Sequence, residues 1–189
     1  MTVDSVSRAS RRHDPDRRER IIDSCLDVIA EHGVAGTSHR RVAAAASVPL
    51  GSMTYHFTGM DELLREAFGR FAREIASTFE RRLSAASSPT DARKAVVDLI
   101  TEDVFGTERD VVLTHELYTL AARDERYREL TSEWMSRSRV ELERHFDPLT
   151  ARMLDALIEG LTIHRALDVV AHDPQVAREA VERIVGRTA

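Results

Sequence analysis

Arg40 and Arg41 stand one short segment ahead of the run Leu50-Gly51-Ser52-Met53-Thr54-Tyr55-His56-Phe57. A guanidinium presents a planar fork of donors that fits phosphate oxygens or the edge of guanine. Ser52 and Thr54 can bond phosphates or base edges, Tyr55 and His56 carry polar tips on flat bodies, and Gly51 admits a close backbone approach. Ser38, ahead of the arginines, has an oxygen to offer. This is chemistry for holding a polyanion, and no bond is broken by it. The other candidate chemistry is sparse. His115-Glu116 has no second histidine four residues on, so the zinc-protease motif is absent. His115 and His164 fall on different predicted helices and read, with Glu116, as structural or solvated groups rather than metal ligands. There is no Gly-rich phosphate loop and no hydrolase-like Ser/His/Asp spacing. We expect no catalytic residue, no metal and no cofactor.

Two short helices position the polar run. Val42, Ala43, Ala46 and Val48 form a small apolar helical face, and Pro49 interrupts it because proline cannot donate to the preceding turn. A second helix can start directly after Pro49. Residues 38–46 and 50–57 therefore read as a helix-turn-helix packed through alanines. Ahead of it, Ile21, Ile22, Cys25, Leu26, Val28 and Ile29 mark an amphipathic helix over 16–32, closed by Gly33, with Thr37 or Ser38 capping the next. Behind it a long helix spans 60–84, with Asp61 and Glu62 in its first turn. Further helices are predicted at 91–105, 108–122, 125–146, 149–171 and 175–185. No stretch alternates as a strand, so the fold class is all-α with about nine helices.

Composition agrees. The chain of 189 residues is 42% hydrophobic, with 5 prolines and 8 glycines, enough for a real core and too few breaks for a strand-rich fold. One cysteine excludes an internal disulfide framework, and no apolar run is long enough to span a membrane; the expected address is the cytoplasm. A net charge of −5 is unusual for a polyanion binder until it is divided. Residues 1–60 carry +1, from 8 Arg against 7 acidic residues, and residues 61–189 carry −6. Binding through one small domain needs local positive charge only. Arg8, Arg11, Arg12, Arg17, Arg18 and Arg20 cluster at the start, and residues 1–15 read as a flexible basic tail.

Over residues 16–64 the sequence resembles the TetR family of bacterial transcriptional regulators. The elements that carry the likeness are Gly33, Ser38, Val42-Ala43, Ser47-Val48, Tyr55-His56-Phe57 and Glu62-Leu63-Leu64. The resemblance implies a DNA-binding domain over 16–59 and a ligand-binding and dimerisation domain over 60–189. It places Arg40 at a base-contacting position and Leu50, Gly51, Ser52, Thr54, Tyr55 and His56 on the recognition helix, with Met53 and Phe57 turned inward. Arg41 and Ser38 join the DNA-binding set. Three positions depart from the family pattern: Ser47 where glycine is usual, Thr54 where an aromatic is common, and Met60 where many members hold a phosphate with lysine.

In the larger domain Phe71, Ile75, Phe79 and Trp134 recur at helical spacing as core, and part of them is expected to line an apolar ligand cavity with Thr101, His115 and Tyr118 as its polar groups. The stretch 151–172 is apolar nearly all round, which requires burial on two sides. One side faces the core; Leu154, Leu157, Leu161 and Leu167 are expected against a second copy, with Ala156 and Gly160 permitting close crossing. The reading is a homodimeric regulator, most simply a repressor released from double-stranded operator DNA by an unknown small-molecule effector. The alternative is an all-α enzyme or small-molecule carrier.

Overall fold

The computed structural model describes residues 14–186, and the predicted tail over 1–15 lies outside them apart from Asp14 and Pro15. Among the described residues there are nine α-helices, one π-helical turn and no strand. No helix among them is long and apolar enough to cross a membrane. The chain divides into two units between Ala67 and Phe68, inside the fourth helix.

In the first unit α1 (Arg17–Gly36) buries Ile21, Ile22, Cys25, Leu26, Val28 and Ile29, the predicted stripe. Burial pushes the Cys25 thiol up to about 12, so it is an inert core group. α1 breaks at Gly33, where φ 67° and ψ 170° are open only to glycine. This is a sharper departure from the helix than a left-handed cap. The Thr37 hydroxyl donates to the Gly33 carbonyl at 2.8 Å, and Ser38 caps α2 (His39–Ala45) by accepting from the Arg41 N–H at 3.3 Å. The two candidate caps thus divide the work.

α2 closes in a Schellman motif. The Val48 N–H donates to the Ala43 carbonyl at 2.9 Å and the Ser47 N–H to the Ala44 carbonyl at 3.1 Å. Ser47 takes φ 54°, the conformation such a motif demands at that position. After Pro49 comes α3 (Gly51–His56), with Met53 and Phe57 buried beneath it. α4 (Met60–Ser84) follows, and Glu62 in its first turn accepts from both the N–H and the hydroxyl of Thr58 at 2.6 Å. Arg18 of α1 ties the unit together: it pairs with Glu66 and lies 5.2 Å from the centre of the Phe57 ring.

The second unit holds the rest of α4 with α5 (Pro89–Asp98), a π-helical turn (Leu99–Asp103), α6 (Glu108–Ala121), α7 (Glu125–Glu143), α8 (Pro148–Leu167) and α9 (Pro174–Val185). Ser88, Thr107, Asp124, Asp147 and Asp173 each accept from an N–H of the helix that follows them. Phe68 meets Tyr127 edge-on at 6.2 Å and Phe71 meets Trp134 at 6.3 Å, so α4 and α7 interlock through aromatic rings.

Two predicted helices need correction. The helix expected over 91–105 is interrupted: its last turn widens, the Val104 N–H donates to the Leu99 carbonyl at 3.0 Å, and Phe105 takes φ 53°. Arg165 closes this end by donating to the Val104 and Phe105 carbonyls, while Arg82 holds Asp103 at 3.0 Å, Glu102 at 3.0 Å and Asp98 at 3.5 Å. The helix expected over 149–171 ends at Leu167, and Val169 is 99% exposed. Apolar composition alone extended that prediction past the point where anything packs.

Candidate functional site

On the first unit the exposed positions of α2 and α3 form one candidate site. Arg40 is exposed, and its side chain makes no hydrogen bond or ion pair among the described residues. Its guanidinium is therefore unspent. Arg41 is also exposed, but it donates to the Gly36 carbonyl and so is partly committed. Tyr55 is 83% exposed on α3, and its ring meets His56 edge-on at 4.9 Å. Desolvation first, then the charges of Arg17 and Arg18, hold the His56 imidazole below its ordinary range. Leu50 and Thr54 are exposed, Ser38 is exposed as the α2 cap, and a Cβ built on Gly51 would meet nothing within 4 Å. Ser52 is the correction: it is only 8% exposed, on the face of α3 that packs with Met53, and cannot present its hydroxyl as expected.

The second unit has a small, partly open cavity of about 20 Å³ lined by Phe79, Val104, Phe105, Tyr118, Trp134, Met135, Ser138, Asp155, Ile158 and Glu159. Of the seven ligand-binding candidates it gathers three, Phe79, Tyr118 and Trp134. Tyr118 and Trp134 stack at 5.9 Å with 27° between planes. Phe71 and Ile75 are buried in the surrounding core instead. Thr101 and His115 belong elsewhere: the Thr101 hydroxyl donates to the Val97 carbonyl at 2.9 Å and His115 Nδ1 to the Val111 carbonyl at 2.7 Å. Each is spent on its own helix.

The polar groups that do line the cavity are Asp155 and Glu159 on α8. Asp155 accepts from Arg139 Nη1 at 3.2 Å, and desolvation outweighs that partner to raise its carboxyl above the usual range. Burial first, and then the nearby Glu159 carboxylate, pushes the Tyr118 phenol up. Both carboxylates share a helical face with the buried Ala151, Leu154, Ile158 and Thr162. That phase was readable in the sequence as two acids, four apart, inside an apolar stripe. The same stripe corrects Leu154, which is fully buried in its own unit and cannot meet a second chain.

Leu157 and Leu161 lie half-buried on the outer side of α8, and Met153 and Leu167 are exposed there. A Cβ on Gly160 would meet nothing within 4 Å. Among the described residues no group of three or more His, Cys, Asp or Glu is placed to hold a metal ion.

Residues 21–67 match the bacterial regulatory proteins of the tetR family, and residues 87–187 match the tetracyclin repressor-like carboxy-terminal domain. The chain belongs to the TetR family. Its helix-turn-helix unit and its larger helical unit are the two parts of a TetR-family transcriptional regulator, and the family's members are regulators rather than enzymes. The structure of SCO7518 from Streptomyces coelicolor A3(2) is 61% identical, with TM-score 0.85 over 90% of this chain and 99% of that one. The multidrug binding protein EbrR in complex with ethidium is 34% identical, with TM-score 0.74 over 90% of this chain and 99% of EbrR. EbrR has also been solved with malachite green and with proflavin. HdnoR, a nicotine-responsive repressor of Paenarthrobacter nicotinovorans, is 25% identical over 61% of this TetR-family chain, which spans 60% of HdnoR's length.

Proposed function

We propose that this chain is a homodimeric repressor whose operator affinity falls when an aromatic cation binds in the α4–α6–α7–α8 cavity. The observation that carries the effector class is the lining: four aromatic side chains, Phe79, Phe105, Tyr118 and Trp134, with two carboxylates and no cationic group. Ethidium, malachite green and proflavin, held by EbrR, are aromatic cations, and nicotine, to which HdnoR responds, is an aromatic base protonated at neutral pH. At about 20 Å³ the cavity must open, since drug-sized pockets run to roughly 300–1,000 Å³. Phe79 is the lever. It lines the cavity and belongs to α4, which begins in the DNA-binding unit, so a ligand that displaces Phe79 acts on the helix that follows α3.

In this reading residues 16–59 bind DNA. Arg40 and Tyr55 reach bases and phosphates, with Leu50, Gly51, Thr54 (its hydroxyl donating to the Gly51 carbonyl at 3.2 Å), His56, Ser38 and Arg41 around them. Residues 60–189 bind effector and partner subunit, with Leu157, Leu161 and Leu167 facing the second copy. The test begins with selection of a tight-binding duplex from random DNA. Tetraphenylphosphonium, an aromatic cation that does not intercalate, is then titrated by calorimetry with and without saturating duplex. A coupling of about 1–3 kcal/mol, or 5- to 150-fold, is expected, and it must appear equally in DNA affinity. Equal affinities in both states would remove the induction mechanism.

A further inference from the structure

The cavity holds two carboxylates that are satisfied in different ways. Glu159 lies beside the Tyr118 phenol, itself a lining group, with no cation paired to it among the described residues. Asp155 takes a cation from the edge: Arg139, next along α7 from the lining residue Ser138, reaches it at 3.2 Å. The two side chains of that pair are 24% and 17% exposed, so it sits at the rim rather than in the centre. A buried carboxylate stripped of its partner is strongly unfavourable, so a charged Asp155 favours holding a cation. A neutral ring brings no such cation. It either leaves the pair in place and finds about 20 Å³, or it strands the Asp155 charge.

We propose that Arg139 is a tethered stand-in for the ligand's cation: an aromatic cation enters by replacing the guanidinium on Asp155, and the released Arg139 side chain moves out to water. The exchange keeps the cavity's charge constant and frees the volume of a long side chain. Arg139 thereby selects for charged over neutral aromatics and sets the affinity at which they bind. The proposal rests on the cavity being the effector site.

Ethidium fluorescence titrations of the full chain, without DNA, test it. If Arg139 occupies Asp155 in about nine molecules of ten, Arg139→Gln should tighten ethidium about tenfold, because the competitor is gone. Arg139→Lys, which keeps a tethered cation, should stay near the parent. Asp155→Asn should weaken ethidium at least about tenfold, and adding Arg139→Gln to it should bring no gain. Phenanthridine, ethidium's uncharged parent ring, should not be tightened by Arg139→Gln. Arg139→Met serves in place of Arg139→Gln if circular dichroism shows the latter misfolded. Parent-like or weaker ethidium binding by folded Arg139→Gln or Arg139→Met would overturn the stand-in; loss in Asp155→Asn would then leave the cation site intact, and no loss there would remove it too. No ethidium binding by the parent or any variant would overturn the cavity reading itself.

Discussion

At the residue scale, the arginines near the helix-turn-helix differ in what they are already doing. Arg18 is bound to Glu66 and Phe57, Arg41 to the Gly36 carbonyl, and Arg40 to nothing among the described residues. A guanidinium with its donors free loses least on meeting a base edge. Arg40→Ala should therefore weaken the selected duplex by about 1–3 kcal/mol and relax preference at one base pair per half-site, as for a lost bidentate contact. Fluorescence anisotropy with single-base-pair variants of the duplex reads both effects, and unchanged affinity would remove Arg40 from the interface. Residue types foretold the exposure of these side chains, Ser52 apart, because exposure on a short helix follows directly from its capping and apolar face. They misplaced Ser52, whose polarity argued for exposure while its phase beside Met53 argued for burial. Phase won, as it did for Asp155 and Glu159, where charge concealed an inward position.

At the element scale, local signals placed starts and stops closely wherever a cap or proline acts. Ser38, Ser88, Asp147 and Asp173 each open a helix, and α4 occupies the predicted 60–84. The π-helical turn could not be read in the same way, because it depends on the distant Arg82 and Arg165 holding Asp103 and the Val104 and Phe105 carbonyls. The α2–α3 turn makes one local rule measurable. Ser47 holds φ 54° at the end of a Schellman motif, its hydroxyl makes no hydrogen bond among the described residues, and the side chain is exposed. A non-glycine residue there costs on the order of 1 kcal/mol, offset in part by the extra unfolded-state freedom of glycine. Ser47→Gly should raise stability by about 0.5–1 kcal/mol, seen as a higher urea midpoint and slower hydrogen exchange at the α2 and α3 amides. A lower midpoint would mean that the unfolded-state freedom of glycine outweighs the strain it relieves.

At the scale of the whole molecule, the question is which apolar side chains are finished and which await a partner. α8 answers it by face. Leu154 and Ile158 are fully covered within their own unit, whereas Met153 and Leu167 are exposed and Leu157 and Leu161 only half covered. On α9, Ala177 and Val181 are buried and Val176 is exposed, so the same division continues onto the next helix. Gly160 leaves room for a close crossing on the uncovered side. In the proposed dimer that surface leaves water at about 25 cal/mol per Å², counted on both copies by the two-fold axis. The two faces predict opposite phenotypes. Leu154→Ala should cost about 2–5 kcal/mol of folding stability through a cavity while the protein still sediments as a dimer. Met153→Glu with Leu167→Glu should leave the helical content intact, place four charges in the dimer seam and yield monomers at micromolar concentration. Those monomers should bind the selected duplex far more weakly, since paired recognition helices reading half-sites about 34–36 Å apart require two joined copies. Sedimentation equilibrium decides between the faces: a parent protein that runs as a monomer, or a doubly charged variant that still runs as a dimer, would move the interface away from α8.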